Sequence, residues 1–94
     1  MLYNTGNYDV DIRIEQLSDM SRFHLIGQVM TTGNTASQLE GLIIRLTGGA
    51  SDASAVTDAR GMFHLRSIKP GDYDLIITVP EGDIVINAIT CRPE

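Results

Sequence analysis

Val56-Thr57-Asp58-Ala59-Arg60-Gly61-Met62-Phe63-His64-Leu65-Arg66-Ser67-Ile68-Lys69-Pro70-Gly71-Asp72-Tyr73-Asp74-Leu75 decides the fold, because it strings two turns and parts of three short strands into one pattern. In the first turn the Asp58 side chain can bond backbone two residues on, and Gly61 accepts a positive φ. In the second, Pro70-Gly71 suits the centre of a type II turn. Asp58, Gly61, Pro70 and Gly71 are therefore read as residues that build shape and carry no chemistry.

Upstream of this stretch, Tyr8 to Glu15 alternates without a fault. Tyr8, Val10, Ile12 and Ile14 fall on one side, and Asp9, Asp11, Arg13 and Glu15 on the other, as in a half-buried strand. A polar connection over 16–21 leads to a strand over 22–31, where Phe23, Leu25, Gly27 and Val29 share a face. A Thr, Gly, Asn and Ser loop over 32–40 precedes a strand over 42–46, which Gly48-Gly49 ends. Residues 50–54 read as a small loop. Strands are expected over 55–58, 62–67, 72–79 and 84–91, with a turn at Pro80-Glu81-Gly82-Asp83. Turn signals about every ten residues are the spacing of an antiparallel β-sandwich of seven or eight strands. The expected core is Val10, Ile12, Ile14, Phe23, Leu25, Val29, Leu42, Ile44, Leu46, Phe63, Leu65, Tyr73, Leu75, Ile77 and Val79.

Composition bounds the function. The 94 residues suit one domain over 1–94, and the 43% of apolar residues suit one modest core. A net charge of −5, with seven Lys and Arg in all, argues against a nucleic-acid groove. No window approaches the roughly 20 apolar residues of a bilayer span, so no membrane insertion is expected. The opening residues show no leader pattern, so a cytoplasmic location is expected, or an extracellular or periplasmic one if a leader has been removed. Cys91 is the sole cysteine, so no internal disulfide is expected.

Leu25-Ile26-Gly27-Gln28-Val29, Gly41-Leu42-Ile43-Ile44-Arg45-Leu46, Thr57-Asp58 with Gly61-Met62-Phe63, and Ile68-Lys69-Pro70-Gly71-Asp72-Tyr73 occur in an order and spacing that resembles the carboxypeptidase regulatory-like, or transthyretin-like (prealbumin-like), domain family. The resemblance implies an all-β Greek-key sandwich that serves as a non-catalytic accessory domain, with a family-like core over 22–91. The strand over 8–15 would be an addition in front of it. Hydroxyisourate hydrolases share a transthyretin-type fold but depend on a His/Arg/His set and a Tyr-Arg-Gly-Ser ending. This chain ends Cys91-Arg92-Pro93-Glu94, so that activity is not implied.

Chemistry-bearing residues are sparse. His24 and His64 each flank a core phenylalanine, so alternation turns both outward, where they could be neighbours on one outer face. A metal would need further ligands, such as Asp11, Asp74 or Glu15, and solvated strand histidines are the plainer reading. No nucleophilic serine motif stands out. Asp52, Asp58, Asp72, Asp74, Glu81 and Asp83 lack the short alternating spacing of a calcium loop and read as solvated turn residues. Lys69, beside a turn proline, has no place opposite Asn87 for an isopeptide link. No cofactor is expected.

The surface is more informative. If Leu25, Leu42, Ile44, Leu75 and Ile77 point inward, alternation turns Ile26, Ile43 and Ile76 outward, accompanied by either Ile84/Ile86 or Val85/Ile89. Such an apolar face is covered by the chain's own segments or marks a contact. Tyr8, Val10, Ile12 and Ile14 lie on a strand that could cover its own sheet, extend another, or swap between copies. The expectation is an accessory or regulatory module, not an enzyme, that binds a protein partner or self-associates. The alternative is a carbohydrate or small-ligand module, against which stand the absence of Trp and the lack of a stacking platform from Tyr3, Tyr8 and Tyr73. A metal-dependent or hydrolytic enzyme comes third.

Overall fold

Period-two alternation becomes a buried and a more exposed side along β-strands of the computed structural model, which describes residues 2–17, 22–31 and 39–92. The expected connection over 16–21 and loop over 32–40 fall partly outside these residues. Eight strands are formed, with no helix among the described residues: β1 (Leu2–Asn4), β2 (Tyr8–Gln16), β3 (Phe23–Thr31), β4 (Ile43–Thr47), β5 (Ala53–Val56), β6 (Met62–Ile68), β7 (Gly71–Val79) and β8 (Gly82–Cys91). They make two four-stranded sheets, antiparallel throughout, in the orders β1-β2-β3-β6 and β5-β4-β7-β8. The inner faces of both sheets meet in one apolar core.

Leu25, Val29, Ile44, Leu75, Ile77 and Ile89 are wholly buried in that core, each stabilising the fold by roughly 1.5–3 kcal/mol relative to an exposed position. Ile14, expected inside, is half-buried at its margin. Tyr8, Ile68, Ile86, Ile89 and Cys91 join the core beyond the expected set. Tyr8 adds a polar tie: its hydroxyl donates to Glu81 Oε1 at 2.9 Å, linking the first sheet to the β7–β8 turn.

Ile68, Ile89 and Cys91 point inward because two bulges reset the alternation. In β6, Arg66 and Ser67 both lie exposed opposite the single residue His24, with Ser67 at φ 57°, so Ile68 returns to the core. In β8, Asn87 and Ala88 do the same opposite Asp74, with Ala88 at φ 62°. The alternation-based pairing of Val85 with Ile89 on the outside is corrected accordingly: Val85 stays out and Ile89 goes in.

β1 was not foreseen. It folds back through the Asn4-Thr5-Gly6-Asn7 turn, where Asn4 Oδ1 accepts from the Gly6 amide at 3.1 Å and Gly6 takes φ 87°. β5 begins two residues earlier than expected, and β4 runs one residue later.

At the corner between β5 and β6 the chain passes from the second sheet to the first. Thr57, buried there, accepts the Leu42 amide at 2.9 Å and donates to the Leu39 carbonyl, so a polar side chain sits satisfied against the core. Asp58 Oδ1 then accepts from the Arg60 and Met62 amides at 2.9 and 3.0 Å, and the Gly61 amide closes onto the Asp58 carbonyl. Gly61 takes φ 78°, and a Cβ there would overlap the Val29 carbonyl oxygen.

Pro70-Gly71 differs from its sequence reading. Gly71 has φ 154° instead of the roughly +80° of a type II turn, and it already belongs to β7. The bend is held by Tyr73, whose hydroxyl donates to the Lys69 carbonyl at 2.8 Å and accepts from the Ser51 amide at 3.2 Å. This upstream bond is of the kind made by the tyrosine corner of β-sandwiches.

Candidate functional site

On the outer face of the second sheet, antiparallel register sets apolar side chains side by side across four strands. Val56 of β5 is opposite Ile43 of β4, and Ile76 of β7 is opposite Val85 of β8. Ile43 pairs with Thr78 and Arg45 with Ile76, which makes Ile43 and Ile76 diagonal neighbours. Such neighbours lie within reach of one another on a sheet face. Val56, Val85 and Ile43 are 62, 53 and 49% exposed, and Ile76 is partly covered between them. The four form a continuous apolar diagonal.

Charge of both signs borders it. Arg45 and Asp83 are exposed at its margins, and Asp74 is half-buried one row away. Farther along, Arg92 pairs with Asp72 at 3.1 Å, and Asp83 accepts from the Thr78 hydroxyl at 3.0 Å.

The expected contact residues separate. Ile43 and Ile76 come together on this face, whereas Ile26 lies on the outer face of the first sheet, between Arg13 and His64 in register. An open cleft of about 410 Å³, lined by Ile26, Val56, Met62, His64 and Arg66 among others, runs round the β5–β6 corner between the two faces. Val56 and Met62 were absent from the sequence-derived set. Alternation from half-buried Ala55 points Val56 outward, so the signal was present.

The strand proposed as a docking edge is placed differently. Tyr8, Val10 and Ile12 are buried in the protein's own core, and Ile14 packs against it, so the apolar side of β2 is taken up internally. β2 is also not a free edge over its first half. β3 pairs with its whole length, and β1 pairs with Asp9 to Asp11 on the other side.

The aromatic rings are mostly internal as well. Tyr8, Phe23, Phe63 and Tyr73 are buried, and Tyr3 packs partly against the core, so they present no flat exposed platform to a sugar.

His24 and His64 are neighbours on the outer face of the first sheet. His64 Nε2 lies 3.2 Å from His24 Nδ1, with ring centroids 4.8 Å apart and planes at 73°. Loss of hydration lowers the His64 pKa from its ordinary value, Arg66 and His24 lower it further, and Glu15 opposes them. Among the described residues, no set of three His, Cys, Asp or Glu side chains is arranged to hold a metal ion. Asp74, considered as a ligand, belongs to the second sheet. Cys91 is buried and unpaired by disulfide; burial, then the nearby Asp72 carboxylate, raises its thiol pKa.

No protein-family model, curated protein or solved structure matches this chain, so its function is argued from the geometry above.

Proposed function

We propose that the protein is a non-catalytic accessory or regulatory β-sandwich module, of the carboxypeptidase regulatory-like kind that its motifs resemble, and that it self-associates through the outer face of the second sheet. The observation that carries the reading is the exposed diagonal of Val56, Ile43, Ile76 and Val85. Removing such a patch from water is favourable, at about 25 cal/mol per Å² of apolar area. A second copy is the favoured occupant because Arg45 and the acidic Asp74 and Asp83 share this face. A two-fold contact then lets each copy's Arg45 meet an acidic residue of the other.

Two chains of net charge −5 repel, and salt screens that repulsion over about 8 Å at physiological ionic strength. Salt screens the Arg45 pairs across the contact as well, so association carried by the apolar face persists as salt is raised. Size-exclusion chromatography with light scattering, over a range of protein and salt concentrations, tests the proposal. A dimer that grows with protein concentration, persists as salt is raised and is lost in Ile43→Asp and Ile76→Asp supports it. A monomer under every condition, unaltered by either substitution, overturns it.

A further inference from the structure

The outer face of the first sheet carries the chain's two histidines, and their placement follows from the strand pairing. His64 is opposite Ile26, and His24 is opposite the β6 bulge at Arg66 and Ser67. Bulges turn side chains from their regular directions, and here the left-handed Ser67 lies beside the pair. The two rings are diagonal neighbours on adjacent strands, part-buried and open to solvent, with their facing nitrogens 3.2 Å apart.

That spacing has two chemical readings. With one nitrogen protonated, it is a ring-to-ring hydrogen bond. With both facing nitrogens bare, it is the separation required of two ligands on one metal ion. Imidazole nitrogens about 2.0–2.1 Å from a metal, at an angle of about 90–109°, lie about 2.9–3.4 Å apart. The change between the two states requires that the donor ring move its proton to its other nitrogen and that the two part-buried rings swing until both lone pairs, no longer aimed along the N···N line, converge on one point about 35–45° off it.

We propose that His24 Nδ1 and His64 Nε2 form a two-imidazole surface site for a late first-row divalent metal ion, Cu²⁺ above Ni²⁺ and Zn²⁺. Imidazole nitrogen suits all three ions, and copper leads the affinity order for a given set of donors. With no third protein ligand arranged among the described residues, the remaining positions go to water or to an external donor. This open set fits tetragonal copper better than the closed tetrahedron of structural zinc. Glu15, in register with His24, places a carboxylate on the same face, and Arg13 and Arg66 oppose the cation from β2 and β6. The site is on the opposite sheet from the apolar diagonal, so it stands or falls independently of self-association.

Chelator-treated protein titrated separately with CuCl₂, NiCl₂ and ZnCl₂ tests the site by calorimetry and, for copper, by electron paramagnetic resonance. One Cu²⁺ per chain is expected, bound more tightly than Ni²⁺ or Zn²⁺, with splitting from two imidazole nitrogens. His24→Ala and His64→Gln should each weaken copper binding at least tenfold while leaving the circular dichroism spectrum unchanged. In the unsubstituted protein, trace Cu²⁺ should broaden the ring proton resonances of both histidines first, a readout that needs no variant to fold. Absence of binding overturns the proposal, and so does copper held elsewhere, for example at the amino terminus, with both histidine resonances and both variants unaffected.

Discussion

Phe63 lies across the backbone of Gly27, its partner in the β3–β6 register, so closely that a Cβ on Gly27 would overlap the ring. Glycine here makes room for an aromatic side chain that fills the core from the neighbouring strand. Gly27→Ala is expected to destabilise the protein by about 1–3 kcal/mol through overpacking. The urea midpoint should fall at unchanged slope. In a Phe63→Ala background the same substitution should cost much less, a coupling that a double-mutant cycle reads directly.

Ile43 and Ile44 are adjacent in sequence and opposite in environment, 49% and 0% exposed. Ile44→Ala should cost about 2–5 kcal/mol, since it empties part of the core. Ile43→Asp should cost the monomer only about 1 kcal/mol, through lost cross-strand contact with Val56 and the poor strand propensity of Asp. Chemical denaturation of the two variants at low protein concentration checks the contrast.

Asp58 holds the turn between β5 and β6 by accepting two backbone amides with one oxygen. Asp58→Ala removes that acceptor and should cost about 1–2 kcal/mol, discounted from the buried case because the turn faces water. Asp58→Asn keeps an acceptor oxygen and should recover most of the loss, as thermal melts of the two variants would show.

The depressed His64 pKa gives stability a definite pH dependence. Between the folded value and the ordinary value of about 6.5, the unfolded chain binds more protons than the folded one. The contribution is therefore complete above about pH 6.5 and is lost as pH falls through the folded value. His64→Gln should flatten this part of the stability profile measured in metal-free buffer.

Cys91 is fully enclosed, and its thiol resists ionisation. A disulfide-exchange reagent should label it slowly in native protein and at once in denaturant, the native rate reporting opening of the β7–β8 end. Because the folded pKa is raised, stability is full below the ordinary thiol range and declines as pH rises through it. Cys91→Ser should not react with the reagent at all.

Long strands were legible because Tyr8 to Glu15 alternates without a fault and Phe23, Leu25, Gly27 and Val29 recur every second residue on one face of β3. β1 was not, since three residues show no period, although the Asn4-Thr5-Gly6-Asn7 cluster marks its turn. Ser67 and Ala88 hid the two bulges: both occupy left-handed conformations usually left to glycine, so nothing in their identity announces a lost phase. Alternation also turned Ile43 and Ile76 outward correctly. It could not tell that Ile26 belongs to the other sheet, because periodicity says which side a residue faces and nothing about which strands pair. The closeness of His24 and His64 depends on the same long-range pairing and was an open possibility in the sequence.

The strand order also governs how the molecule is made. β2–β3 and β7–β8 are local hairpins, but the joins that complete each layer, β3 to β6 and β4 to β7, bring together distant segments, His24 and His64 being 40 positions apart. Closing such loops consumes chain entropy before any core rewards it, which places folding in about the millisecond-to-second range of β-rich topologies. A chain emerging from the ribosome therefore carries the β2–β3 hairpin with its apolar side uncovered until the second sheet, built from β4, β7 and β8, has been made and can pack onto it. Apolar surface exposed in this transient way is what makes incompletely folded β-rich chains prone to associate.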